Sequence, residues 1–161
     1  MTASFELRPA QPGDEEFLFR LTARLADFDI PSWRTKREID LADHAILREA
    51  FEKRPEDTLV LIAASGDTRL GYVFVTTRTD YFTQRPHGHI EILAVTPEAE
   101  GKGVARALMA AAEAWAAGRG YDQMTLNVFD PNRRARTLYE RIGYQPEMVH
   151  YRKPLGPETS R

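Results

Sequence analysis

The amino-acid sequence predicts an α/β fold of the α+β kind: one central sheet, mixed but mostly antiparallel, of about six to seven strands flanked by about four helices. Three observations carry this reading. Leu59–Ala64 and Leu70–Val75 are β-rich apolar runs joined by the turn Ser65-Gly66-Asp67-Thr68, which makes an antiparallel hairpin. A strand, a long helix and a second strand follow between His89 and Phe129, which is the order of a parallel β-α-β unit. Two stretches with helical spacing stand before the hairpin and one near the C-terminus.

Taken in order, Phe5-Glu6-Leu7-Arg8 reads as a short strand closed by Pro9 and Pro12-Gly13. Asp14 offers an N-cap oxygen, Glu15 and Glu16 suit the positive end of a helix, and Phe17, Leu18, Leu21 and Leu25 fall on one helical face that ends before Pro31. Thr35 and Glu38 have capping-box spacing, and Ile39, Ala42, Ile46 and Ala50 continue a second helix. After the hairpin, residues 78–88 read as a loop, and His89–Val95 as a third strand of this group, ended by Thr96-Pro97. A helix after Gly103 carries Val104, Leu108, Ala111 and Trp115 on one face and is stopped by Gly118 and Gly120. Met124–Phe129 reads as a strand, Asn132–Ile142 as a short helix ended by Gly143, and Tyr144–Tyr151 as a final strand.

Length and composition bound the function. The 161 residues suit one domain, expected over 1–155, with 156–161 a flexible polar tail. Apolar residues make up 42%, charged residues 29%, and the net charge is −2, which points to neither a nucleic-acid nor a membrane partner. No apolar run approaches the ~20 residues of a membrane span, and Met1–Glu6 lacks the basic-then-apolar pattern of a secretory signal, so a cytoplasmic location is expected. The absence of cysteine excludes disulfides, thiolate metal sites and a covalent cysteine nucleophile. His44, His87, His89 and His150 lack the spacing of zinc ligands, and no metal is expected.

The most informative stretch is Ile92–Ala105, where a strand runs through Glu100-Gly101-Lys102-Gly103 directly into a helix. Unpartnered amides in the first turn and the helix dipole make an anion site suited to a diphosphate, and Lys102 and Arg106 add charge. Gly101 and Gly103 stand too close for a P-loop, and Arg106 occupies the third glycine position of a dinucleotide fingerprint. The pattern that remains resembles the acetyl-CoA motif of the GCN5-related N-acetyltransferase (GNAT) superfamily, Arg/Gln-x-x-Gly-x-Gly/Ala: Gly103 and Ala105 match its last two positions, and Glu100 stands where Arg or Gln belongs. A carboxylate there repels a diphosphate unless it points away or pairs with a cation such as Lys102. A second stretch, Asn132-Arg133-Arg134-Ala135-Arg136-Thr137-Leu138-Tyr139-Glu140-Arg141-Ile142-Gly143-Tyr144, resembles the family's Asn-x-x-Ala-x-x-Leu-Tyr-x-x-x-Gly-Phe.

The resemblance spans residues 5–155 and implies the GNAT fold, with a V-shaped splay between strands 89–95 and 124–129 that receives acetyl-CoA. It implies cofactor contacts from Leu93, Ala94 and Val95, from Glu100, Gly101, Lys102, Gly103, Val104, Ala105 and Arg106, and from Asn132, Ala135 and Tyr139. It further implies an acetyl-CoA-dependent N-acetyltransferase, and it makes a homodimer plausible. Arg133, Arg134 and Arg136 read first as a solvated basic face and second as contacts to the cofactor's 3′-phosphate.

Acyl transfer to an amine needs a base, since an alkylammonium with a pKa near ~10 is no nucleophile. His89 and Glu91, two apart on one strand, are expected to share a face with Leu93 and Val95 and are the candidates, Glu91 preferred. The resemblance places an oxyanion donor at the Val95 N–H and a proton donor to the departing sulfur at Tyr139. Without cysteine, direct attack in a ternary complex is expected rather than a thiol relay. The acceptor, a primary amine of a small molecule or a peptide, is expected to meet loop residues Asp27, Phe28, Trp33, Tyr81 and Phe82. The alternative is a silent acyl-CoA-binding sensor of the same fold.

Overall fold

Helices and strands form here where apolar residues recur at helical or at strand spacing, and each element turns its apolar side toward one sheet. The computed structural model describes residues 4–156; most of the polar tail, residues 157–161, lies outside them. The five strands are β1 (Glu6–Pro9), β2 (Leu59–Ser65), β3 (Thr68–Thr79), β4 (Pro86–Val95) and β5 (Met124–Leu126), in spatial order β1-β2-β3-β4-β5. The first four are antiparallel neighbours; β5 lies parallel to β4. The helices are α1 (Glu15–Thr22), α2 (Lys36–Lys53), α3 (Val104–Gly118) and α4 (Arg133–Arg141). No helix of the described residues is long and apolar enough to cross a membrane.

Each face of the sheet closes over its own core. Phe17, Leu18 and Leu21 of α1 and Leu47 of α2 pack on Ile62, Tyr72, Phe74 and Ile92. On the other face, Val104, Leu108, Met109 and Ala112 of α3 pack on Ala63, Val73, Val75 and Ile90. The capping box forms as its spacing predicts: Thr35 Oγ1 accepts from the Glu38 N–H at 3.2 Å, and Glu38 Oε2 accepts from the Thr35 N–H at 2.8 Å.

Asp14 departs from its expected role. It makes no side-chain cap; its carboxylate is buried (1% exposed) and accepts from Arg8 at 2.7 and 3.0 Å, from Arg69 Nε at 2.6 Å and from the Gln11 N–H at 2.8 Å. A buried carboxylate with two guanidiniums in reach gains more there than at a helix end. The Arg8 bond, opposed by burial and reinforced by Arg69, holds this carboxyl far below the ordinary range. A depressed native value means that the stability it contributes is present above the unfolded value and is lost as pH falls. Asp14→Asn should therefore cost about 3 kcal/mol at neutral pH, by the cost of breaking a buried pair. In urea titrations the gap between variant and parent should close as pH drops from about 5 toward 2; a gap that stays constant over that range would show the pair contributes nothing ionic.

Three expected boundaries move. Residues 78–88 are not all loop, because β3 runs to Thr79 and β4 starts at Pro86, with Arg78 paired to His87 and Thr79 to Pro86. The strand expected over Met124–Phe129 ends at Leu126, and no strand forms over Tyr144–Tyr151. Pro146 interrupts the ladder donors of that last stretch, and Met148, Val149 and Tyr151 stay exposed. Where six to seven strands are expected, the described residues form five.

Candidate active site

The parallel pairing of β4 with β5 covers only Gly88–Met124, His89–Thr125 and Ile90–Leu126. Beyond it, Glu91–Val95 of β4 has no neighbour on that side, which produces the splay. The Thr96 N–H donates to the Leu70 carbonyl at 2.8 Å, so in the alternating antiparallel ladder the Gly71–Val95 and Val73–Leu93 pairs are of the non-hydrogen-bonded type. The N–H groups of Leu93 and Val95 therefore point away from β3, into the gap.

The connection from β4 to α3 turns through Pro97–Ala99, with Ala99 buried against the second core. Gly101 and Gly103 adopt φ of +71° and +81°, the left-handed region that disfavours side chains. Open space surrounds both positions, so conformation rather than crowding selects glycine. The first α-helical bond of α3 is Ala107 N–H to the Gly103 carbonyl at 3.0 Å. Among the described residues, the amides of Gly101, Gly103, Val104, Ala105 and Arg106 make no hydrogen bond, while that of Lys102 donates to the Ala99 carbonyl at 3.3 Å. Of the six amides of 101–106, five are thus free for an anion.

Glu100 does not pair with Lys102. Its Oε1 accepts from Arg24 Nη2 at 2.8 Å and forms an ion pair with Arg134 Nη2 at 2.6 Å. Arg24 also donates to the Val95 carbonyl. Arg24 itself lies in no recognisable motif; only charge balance around Glu100 could have pointed to it.

Across the gap, Asn132 Oδ1 caps α4 by accepting from the Ala135 N–H at 3.2 Å, leaving its amide Nδ2 free. Tyr139 is half-buried, its ring 6.1 Å from that of Tyr144, and its hydroxyl has no hydrogen-bond partner among the described residues. Burial raises the phenol above its ordinary value, so it stays protonated. A groove of about 450 Å³ runs between α3 and the end of α4, with Arg106 and Arg141 on its rim.

The other face of β4 carries a different chemistry. The ladder pairs Phe74 with Ile92 and Val75 with Ile90, so Glu91 is the extra residue of a β-bulge. The bulge overturns the expected common face: Leu93 and Val95 pack toward α3 with Ile90, whereas His89 and Glu91 face the side of α2. Period-2 alternation cannot reveal a bulge from one sequence. The Glu91 carboxylate accepts from Thr76 Oγ1 at 2.7 Å and from Arg78 Nη2 at 2.8 Å on both oxygens. His89 is buried (4% exposed), and burial, helped by Arg78, pushes its imidazole down to about 4, so it is neutral near pH 7. Thr125 Oγ1 meets His89 Nδ1 at 2.7 Å and His87 Nε2 at 3.0 Å. One hydroxyl hydrogen serves only one ring, so the other ring donates its N–H to the Thr125 oxygen.

Two carboxylates escaped sequence reading. Asp40 and Asp43 lie one turn apart on α2, and neither has an ion-pair partner among the described residues. Burial, and next Asp40, push the Asp43 carboxyl up to about 6; Glu91 adds to the effect and His44 opposes it. Asp40 Oδ1 is buried without a partner. Their signal was an acid pair at i, i+3 beside an apolar helix face.

The loop residues are scattered. Asp27 is neutralised by Lys36 at 3.0 Å and Arg24 at 3.7 Å. Phe28 stacks on Phe129 across 5.4 Å, Trp33 lies under Arg152, and Tyr81 and Phe82 touch each other at the exposed β3–β4 turn. Among the described residues, no three His, Cys, Asp or Glu side chains converge to hold a metal ion.

The model of the Acetyltransferase (GNAT) family matches residues 21–144. A mycothiol acetyltransferase of Actinosynnema mirum is 30% identical over 139 residues, 86% of this chain and 43% of that protein. The aminoglycoside N(6')-acetyltransferase type 1 of Stenotrophomonas maltophilia is 32% identical over 102 residues, 60% of this chain and 66% of that protein. The chain thus spans less than two thirds of either relative. The solved structure of AAC(6')-Iy with the bisubstrate analog CoA-S-monomethyl-acetylneamine superposes with a TM-score of 0.69 at 20% identity, over 94% of this chain and 99% of that one.

Proposed function

This chain belongs to the acetyltransferase (GNAT) family, and from that premise we propose that it moves an acetyl group from acetyl-coenzyme A to a primary amine of a cationic small molecule, by direct attack in a ternary complex. The observation that carries the reading is the row of five free amides at the start of α3, beside the gap where β4 and β5 part. Such a row fits a diphosphate, and Lys102 and Arg106 add charge without new geometry. Bound there, acetyl-CoA supplies the activated thioester.

The remaining roles follow from this chain's own residues. Leu93, Ala94 and Val95 offer the edge of β4 to the pantetheine arm, and Asn132 and Ala135 bound the opposite wall. The Val95 N–H, aimed into the gap, donates to the carbonyl oxygen as it gains charge. Glu91, fixed by Thr76 and Arg78, takes the proton of the amine directly or through water. Tyr139, held protonated, gives a proton to the departing sulfur. His89 stays neutral and orients the strand through Thr125.

Asp43, which senses the charge of Glu91, and its neighbour Asp40, neither with an ion-pair partner among the described residues, support a cationic acceptor, and relatives named for aminoglycosides support a small molecule over a peptide. The test is thiol release from acetyl-CoA with a panel of polyamines, aminoglycosides and neutral amines. Cationic acceptors should be preferred, and their KM should fall as pH rises through about 6, where Asp43 ionises. Asp43→Asn should raise that KM by about tenfold and flatten the pH dependence. Tight coenzyme A binding with no release for any amine would favour a silent sensor instead.

A further inference from the structure

A carboxylate one residue before a diphosphate cradle should repel the ligand, yet Glu100 occupies that position. Its surroundings reverse the sign. Glu100 Oε1 lies 2.8 Å from Arg24 Nη2 and 2.6 Å from Arg134 Nη2, so one negative charge is joined to two positive ones, and the local sum is +1. Arg24 reaches both ends of the β4–α3 connection, since the same guanidinium donates to the Val95 carbonyl. Arg134 stands in the first turn of α4, two residues after Asn132, and is largely exposed (72%). Glu100 therefore ties the segment after α1 to the connection and to α4, across the mouth of the cleft.

We propose that Glu100 is a positioning residue that acts through Arg24 and Arg134: it holds the Arg134 guanidinium beside the free amides of α3, where Arg134 meets the diphosphate of the cofactor. This rests on the acetyl-CoA reading. The Arg24 and Arg134 hydrogen bonds also hold the Glu100 carboxyl below its ordinary value, so the carboxylate stays ionised in the neutral range. Arg134 has donors left after the single bond to Glu100, and a planar guanidinium matches phosphate oxygens. Arg24 has a different part, anchoring the connection through Val95 and Glu100.

Glu100→Gln separates this from simple repulsion by the sign of its effect. Calorimetric titration with coenzyme A should show about tenfold weaker binding for Glu100→Gln and for Arg134→Ala, and the double variant should be little worse than either single one. Removal of a merely repulsive charge would tighten binding. In turnover, the loss should fall mainly on KM for acetyl-CoA and should be much smaller for S-acetylpantetheine, which has no diphosphate. Arg134→Lys should recover most of the affinity. The Arg134→Ala loss should be the same with 3′-dephospho-coenzyme A, which places the contact on the diphosphate; a loss that vanishes with that ligand would place it on the 3′-phosphate and overturn the proposal. Tighter or unchanged binding by Glu100→Gln would also overturn it, while the parent chain's own binding keeps the acetyl-CoA reading intact. Failure of the parent chain to bind coenzyme A removes both.

Discussion

Glu91→Gln is expected to lower kcat/KM for amine acetylation by about 10³-fold at pH 7, within the range of general-base contributions. Glutamine keeps the shape of the side chain and can still accept from Thr76 and Arg78, so the bulge and the strand should survive. What it loses is the ability to take a proton. Near pH 7 an alkylammonium is almost wholly protonated, and each unit of pH raises its free-amine fraction about tenfold until its own pKa near ~10. The deficit of Glu91→Gln should therefore shrink as pH rises toward about 9, because solvent does what the carboxylate did. His89→Gln should cost much less, since an imidazole lowered to about 4 is too weak a base to carry the step. A larger loss in His89→Gln than in Glu91→Gln would assign the base to the histidine.

Tyr139→Phe is expected to reduce kcat by about 10²-fold, the lower end of what one proton donor contributes. The hydroxyl has no partner among the described residues, so its removal leaves the packing against Tyr144 in place and should hardly change the melting temperature. Coenzyme A affinity should likewise hold. The phenol is raised by burial, which keeps its proton available to a sulfur that departs as thiolate. A variant that melts early and turns over normally would make Tyr139 a packing residue.

The parts of the fold that local chemistry dictates were legible in the sequence. Thr35 and Glu38 announced the start of α2, and the pattern from Val95 through Gly103 announced a strand end, a glycine-containing loop and the start of α3. Tyr144–Tyr151 misled because its apolar residues resemble a strand, while Pro146 and the absence of a covering layer leave it unpaired and exposed. The candidate site was legible where it is backbone. Amides need only a helix start and glycine, both visible in one sequence. It was hidden where it depends on tertiary contacts. The bulge at Glu91 reverses the alternation, and Asp43 comes within reach of its charge from a helix about 50 residues away. Arg24 reaches Glu100 across 76 residues of chain, a separation no local pattern encodes.

The most direct measurement is isothermal titration of the folded chain with coenzyme A and, in parallel, with pantetheine. Five free amides at the head of α3 predict saturable binding of coenzyme A, one molecule per chain, and much weaker binding of pantetheine, which lacks the diphosphate. Heats no larger than dilution for coenzyme A, or equal affinity for the two ligands, would contradict a diphosphate seat at residues 101–106.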